Sequence, residues 1–533
     1  MNLAQHGLIA AIVLPLLTAA LLLLISEKRR RLKGWLNLAA TFAGAVLAFG
    51  LVQQADTANG VYLAGNWPAP FGIVLVLDRL SAMMVLLTAV LGCATLLFAL
   101  ARWDRAGAHF HALFQVQLLG LNGAFLTGDL FNLFVFFEVM LAASYGLLLH
   151  GSGRARVLAG MHYLAINLVA SSLFLVGAAL VYGVTGTLNM ADIAVKVSQV
   201  TPHDIGLLHA GVAILAIAFL TKAGMWPLNA WLVPAYGAAS APVAALFSLM
   251  TKVGVYAVLR LWALAFPDGF GQAWLVGGGL ATLTCAVLGL LAARRLERLA
   301  ALNILVSAGT LLAAIGLGGE RLLGAALFYL VGSTLAVAAL FLIAELIERA
   351  RAANDVPLDD EDCPLPAPLE TLHPPQDVNL DDEQRALVGR VIPWNTAFLG
   401  LAFILCALMV IGMPPLAGFI GKINLIAAIL EAQPPGATGW ALVLLLVLAG
   451  IAALMALSRV GMLRLWSPAQ PHRPALRPLE CCAVVALLSL CVVLTLRAEP
   501  LLQYTRASAQ ALLDPGQYIH PVLAAAATER EAP

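Results

Sequence analysis

Gly224-Met225-Trp226-Pro227-Leu228-Asn229-Ala230-Trp231-Leu232 and Gly412-Met413-Pro414-Pro415-Leu416-Ala417-Gly418-Phe419-Ile420 lie 188 positions apart and read almost alike. Each sets a proline break inside a long apolar run. Each also has a lysine close by, Lys222 five residues before Pro227 and Lys422 seven after Pro415. Backbone groups freed by a break are tolerated at membrane depth only where protein or a polar cavity satisfies them. Paired Gly/Pro-interrupted apolar segments in two halves of a chain therefore point to a transport site, here marked by Pro227, Pro414 and Pro415.

The surrounding composition supports that reading. Of 533 residues, 61% are hydrophobic and 11% charged, against about 45–50% and about 25% in soluble domains. Apolar runs of about 20 residues, enough to cross about 30 Å of hydrocarbon, recur along the chain. They fall near 4–25, 34–52, 72–100, 110–127, 130–150, 157–183, 206–228, 240–264, 271–292, 299–318, 321–347, 394–432 (broken), 439–465 and 479–496. The expected fold is an all-α integral membrane protein of about 14 transmembrane helices. The first run lacks a basic leader and a small-residue cleavage site, so it is expected to be a retained helix.

Glu27-Lys28-Arg29-Arg30-Arg31-Leu32-Lys33 follows the first span. Alternating sides from there puts two thirds of the 30 Lys and Arg residues on that side, which the positive-inside rule makes cytoplasmic. Both termini are then expected outside. A net charge of +1 gives no reason to expect a nucleic-acid partner. None of the seven cysteines has ligand-like spacing, and no Gly-rich nucleotide loop is present, so no metal site and no cofactor are expected. From Asn354 to Arg390 ten acidic residues and six prolines interrupt the apolar pattern; this composition predicts a solvated, disordered acidic cytoplasmic loop over 354–390.

Four charges in apolar spans are read as lying at membrane depth: Glu138, Lys222, Lys252 and Lys422. Each costs about 2.5–3.5 kcal/mol on insertion scales, roughly 10–14 kcal/mol together before pairing. A lysine suits proton relay because burial or a second cation lowers its proton affinity while a nearby carboxylate raises it. One acid and three bases, two beside helix breaks, therefore predict a proton pathway without a catalytic centre. His162 and Asn167 read either as extending its hydration or as making a helix–helix hydrogen bond. Asp78-Arg79 reads as an interfacial or interhelical pair, His109, His111 and His150 as solvated boundary residues, and Glu345 and Glu348 as surface partners of Arg349.

The run Asp129-Leu130-Phe131-Asn132-Leu133-Phe134-Val135-Phe136-Phe137-Glu138, then Lys222-Ala223-Gly224-Met225-Trp226-Pro227, then Ala241-Pro242-Val243 leading to Lys252 and Tyr256, resembles the antiporter-like subunits shared by Mrp-type (Pha-type) cation/proton antiporters and respiratory complex I. With Leu512-Leu513-Asp514-Pro515-Gly516-Gln517-Tyr518-Ile519 near the end, it resembles most the D-type branch of that family. The resemblance implies two inverted five-helix repeats with discontinuous helices 7 and 12. That divides the chain into 1–109 (helices 1–3), 110–264 (helices 4–8), 271–465 (helices 9–13, with the loop 354–390) and 479–533 (helix 14 and tail). It implies a gating ion pair between Glu138 and Lys222, Lys252 as central relay and Lys422 as exit-side carrier.

Relatives often carry a histidine on helix 11 where this chain has Ser333, and a more polar cluster on helix 10 where it has Asn303 and Ser307. The link from Lys252 to Lys422 is therefore expected to run through water held near Ser307, Thr310, Ser333 and Thr334. The implied function is the proton-translocating subunit of a multisubunit Na+ or K+/proton antiporter in a bacterial inner membrane, a transporter and not an enzyme. Its partners are the other subunits, H+, the cation and membrane lipid. The alternative is a proton-pumping subunit of complex I or a membrane-bound hydrogenase. A membrane enzyme on lipid-linked substrates is disfavoured, since the only carboxylate-rich loop reads as unstructured.

Overall fold

The computed structural model describes residues 3–266, 269–352, 393–431, 436–465 and 476–525. The acidic segment 354–390 lies outside them. The helices are α1 (Leu3–Leu24), α2 (Arg30–Thr57), α3 (Arg79–Ala101), α4 (Phe110–Leu126), α5 (Leu130–Leu148), α6 (Arg154–Thr185), α7 (Met190–Val197), α8 (Ile205–Ala223), α9 (Leu232–Ala238), α10 (Ala241–Phe247), α11 (Met250–Ala265), α12 (Gln272–Ala292), α13 (Leu296–Leu317) and α14 (Glu320–Ala352). They continue with α15 (Trp394–Ile411), α16 (Ala417–Glu431), α17 (Ala437–Leu465), α18 (Pro478–Leu496), α19 (Ala498–Leu513) and α20 (Gly516–Leu523). Thirteen described helices are long and apolar enough to span a membrane, and the 17-residue α4 is a shorter apolar one. Fourteen crossings result among the described residues, the seventh (α8 and α9) and the twelfth (α15 and α16) each broken at the sequence motif. The chain is a multi-span membrane protein.

The span expected over 72–100 starts later. Val74–Leu77 pairs antiparallel with Gly60–Leu63 as a two-stranded hairpin, and the helix begins only where the Asp78 carboxylate accepts the Ser81 N–H at 2.9 Å and caps it. Asp129 caps α5 in the same way, accepting the Asn132 N–H at 2.9 Å. Burial raises the Asp129 carboxyl above its usual range, against the lowering effect of the Asn132 and Phe131 N–H groups.

Contacts between loops define two ends of the bundle. At one, His6 of α1 meets Tyr62 of the hairpin, the Asn59 amide donates to Gln517 O at 2.7 Å, and the Tyr504 hydroxyl donates to Arg79 O at 3.0 Å. At the other, Arg349 donates to both Glu480 oxygens, Arg464 to Glu348 at 3.0 Å, and the Trp103 indole to Glu345 at 2.7 Å. Both ends of the described chain thus lie at the hairpin end. Arg349 pairs with Glu345 at 3.7 Å, but the pair is partly buried and shared: Glu345 also accepts from Trp103, the same arginine holds the fully buried Glu480 of α18, and Glu348 turns instead to Arg464 of α17. His111 and His150 are also buried, with His111 Nδ1 against the Asn37 amide and His150 Nε2 donating to Trp103 O.

Helices apolar all round belong in the interior, and α10–α11, α13 and α14 are the most enclosed of the bundle. Approach is close where side chains vanish. A Cβ on Gly254 of α11 would lie 2.4 Å from Ala223 N of α8, the small-residue packing expected between membrane helices.

Arg260, on α11, points into the hairpin end and clasps Asp78 through both its Nη groups, one at 2.8 Å, with both residues buried. Removing one partner of such a pair strands the other charge, at about 3–5 kcal/mol. Asp78→Ala is expected to lower thermal stability in detergent by that amount, and adding Arg260→Leu to restore most of it. A double variant no better than Asp78→Ala would show that the guanidinium is satisfied elsewhere.

Candidate functional site

Lys222 occupies the last turn of α8, just before Gly224 turns the chain out of the helix at φ +76°. Gly tolerates that left-handed conformation without a Cβ clash. The ammonium is buried and sits 5.0 Å from the centroid of the Phe137 ring, a cation–π contact. Glu138, the next residue on α5, is half-buried and accepts a hydrogen bond from Ser171 of α6. Lys222 feels the charge of that carboxylate, but among the described ion pairs the two are not in direct contact: Ser171 holds one and Phe137 the other. A small cavity lined by Tyr163, Asn167, Lys222, Trp231 and Met250 lies beside them.

Lys252 lies one turn into α11 with 1% of its surface exposed. Its Nζ donates to Ser307 Oγ of α13 at 2.8 Å, and Ser307 Oγ meets Ser333 Oγ of α14 at 2.9 Å. Ser333 in turn reaches the carbonyl of Leu330 at 3.2 Å. A hydroxyl has one hydrogen to give, so the chain of donation runs from Lys252 to Ser307 to Ser333 to Leu330. Past Ser333 a cavity lined by Asn303, Tyr329, Ser333, Met409, Val410 and Gly418 opens toward the second break.

At that break Gly412 takes φ +84° and ends α15. The ammonium of Lys422, on α16, donates to Ile411 O at 2.7 Å and Val410 O at 3.3 Å. These carbonyls belong to the end of a helix, where partners are missing and the dipole favours a cation. The first break solves the same problem differently. There the Thr221 carbonyl accepts from the Trp231 indole at 3.3 Å, and the Lys222 ammonium stays free of the break.

The structure therefore gathers Lys252, Ser307 and Ser333 into one hydrogen-bonded row, with Lys422 across a cavity and Lys222 beside Glu138. Thr310 and Thr334 lie nearby, but each hydroxyl donates to its own helix, at 2.7 Å to Val306 O and 2.6 Å to Leu330 O. His162 is not brought to the row; it lies on the exposed face of α6. Arg260 is the charged residue that sequence reasoning passed over. Its signal was present: it sits two turns beyond Lys252 in one apolar span, with Tyr256 between, and its Nη2 donates to the Tyr256 hydroxyl at 3.0 Å. No group of three or more His, Cys, Asp or Glu side chains fit to hold a metal occurs among the described residues.

Comparison with known proteins gives one consistent result. Residues 127–360 match the family model described as NADH:quinone oxidoreductase/Mrp antiporter, transmembrane. The chain is 49% identical to the probable K(+)/H(+) antiporter D subunit of Rhizobium meliloti, over 98% of each chain, and 32% identical to the Na(+)/H(+) antiporter D subunit of Alkalihalophilus pseudofirmus, over 97% of this chain and 99% of that one. It superposes on a chain of the Mrp complex from a Dietzia species with a TM-score of 0.82 and 27% identity, covering 98% of this chain and 100% of the other. On this full-length similarity, the chain belongs to the NADH:quinone oxidoreductase/Mrp antiporter family.

Proposed function

We propose that this chain is the proton-translocating, D-type subunit of a multisubunit monovalent cation (Na+ or K+)/proton antiporter in a bacterial inner membrane. The observation that carries this is the buried row Lys252–Ser307–Ser333 ending at the cavity beside Lys422. It supplies titratable groups and hydroxyls at hydrogen-bond distance within the most enclosed helices, where an uncompensated charge is otherwise costly. The relatives named as D-type components of K(+)/H(+) and Na(+)/H(+) antiporters support the same reading. In this scheme Glu138 and Lys222 gate the path by closing and opening their contact, Lys252 relays the proton, and Lys422 passes it on. The repeats comprise 110–264 and 271–465, other subunits of the complex complete the transporter, and both termini face the periplasm.

The open state of the Glu138–Lys222 pair sets the test. In inverted vesicles carrying the assembled complex, with no electron donor and a Na+ or K+ gradient as driving force, Glu138→Gln and Lys222→Ala are each expected to abolish proton flux while leaving the protein inserted. The double variant should be no worse than either alone, because the two act as one gate. Strictly additive losses would dissolve the shared gate, and a flux that requires an electron donor would favour the redox-driven alternative.

A further inference from the structure

Breaking a helix frees N–H groups as well as carbonyls, and both breaks here satisfy one in the same way. At the first, the Trp226 N–H donates to Thr282 Oγ1 of α12 at 2.8 Å. At the second, the Ala417 N–H, first of α16, donates to Thr495 Oγ1 of α18 at 2.8 Å. Each hydroxyl hydrogen goes to the carbonyl four residues back on its own helix, Gly278 at 2.6 Å and Cys491 at 3.0 Å. Both hydroxyls are thereby committed on two sides, the hydrogen to their own helix and a lone pair to the break. Back-bonding alone is the ordinary habit of a membrane-helix threonine; Thr18, Thr88 and Thr284 do only that among the described hydrogen bonds. A threonine is also stiff at χ1, so a lone pair held this way points in a fixed direction.

The positions repeat. The breaks are in the seventh and twelfth crossings, and their threonines stand on the ninth and fourteenth, two crossings on in each case. Packing keeps the contacts short. A Cβ on Gly278, one turn before Thr282, would lie 2.3 Å from Met225 Sδ, and a Cβ on Gly418, next to Ala417, would lie 1.9 Å from Met409 O. Lys222 is four residues before Trp226 and Lys422 five after Ala417, so a shift of either break moves its lysine.

We propose that Thr282 and Thr495 are positioning residues that latch the two helix breaks and so set where Lys222 and Lys422 present their ammonium groups. This rests on the relay reading for its functional consequence, not for the latch itself. At the second break the latch and the lysine divide the work: Thr495 takes the freed donor and Lys422 the freed acceptors.

Valine keeps the shape of threonine without a hydroxyl, and serine keeps the hydroxyl. In the assembled complex, Thr282→Val is expected to raise amide hydrogen exchange in segment 224–229 by about tenfold, the effect of one lost hydrogen bond; Thr495→Val should do the same in 412–418. Antiport should fall several-fold with its pH profile displaced, since the lysine ends in altered surroundings. Thr282→Ser and Thr495→Ser should restore both readouts, and Thr284→Val, on the exposed face of α12, should change neither. Should valine prevent insertion, Thr282→Cys, a weaker acceptor of similar size, is read in its place. Unchanged exchange in the valine variants overturns the latch. So does a serine variant as impaired as valine, and raised exchange with wild-type flux and pH profile overturns the positioning role. Exchange is read without transport, so a failed relay would appear in Lys252→Ala and leave the latch result standing.

Discussion

Lys252→Ala is expected to lower antiport by the assembled complex about 100-fold or more, the scale of losing a positioned proton-transfer group. Lys252 is fully enclosed, and among the described ion pairs no carboxylate partners it; among the described hydrogen bonds its ammonium has only Ser307 Oγ, at 2.8 Å. A charge buried without a counter-ion costs stability, so its removal should leave thermal stability equal or higher. A merely structural lysine would behave in the opposite way. Lys252→Arg should be nearly as inactive, because a guanidinium keeps its proton at any working pH and cannot hand it on. The check is dissipation of a pH gradient in inverted vesicles, with insertion and melting of the purified complex measured alongside. Near-normal flux in the arginine variant would make Lys252 a fixed charge, and the relay would have to pass elsewhere.

The second large effect concerns the two serines that continue the row. Ser307→Ala removes the acceptor of the Lys252 ammonium and the donor to Ser333 together, so flux is expected to fall about 10- to 100-fold, the value of a hydrogen bond to a charged group. Ser333→Val should act similarly but less, by drying the end of the row where it meets the cavity at Asn303, Tyr329 and Val410. Ser333→His is expected to retain transport or raise it, since imidazole adds a group that titrates near neutrality at the one place where the row relies on hydroxyls. Flux recorded from pH 6 to 9 separates the cases. Equal rates in wild type, Ser333→Val and Ser333→His would take Ser333 out of the path and reduce its contact with Ser307 to helix packing.

Much of this architecture is legible in the chain because it depends on local properties. Hydrophobic runs of membrane length, Gly224 and Gly412 beside prolines, and lysines in apolar surroundings each carry their meaning within a few residues. The expected helix over 72–100 erred at its start for a related reason: Val74–Leu77 is as apolar as a helix, and only its partner Gly60–Leu63 makes it a strand. His162 erred the other way, since a polar residue in an apolar span reads as inward whichever side of the helix it occupies.

The sequence by itself determined that this is a membrane protein of about 14 crossings, two of them broken, with Glu138, Lys222, Lys252 and Lys422 inside apolar helices, because the bilayer penalises each exposed polar group one residue at a time. Tertiary structure alone decided the pairings: Lys252 with Ser307 and then Ser333, Lys422 with the end of α15, Arg260 with Asp78, and Thr282 and Thr495 with the breaks. Every one except the Lys422 contact and the step from Ser307 to Ser333 joins crossings that are not neighbours in the chain. A hydrogen bond requires two atoms within about 3 Å and in line, and only the packing of whole helices brings them there.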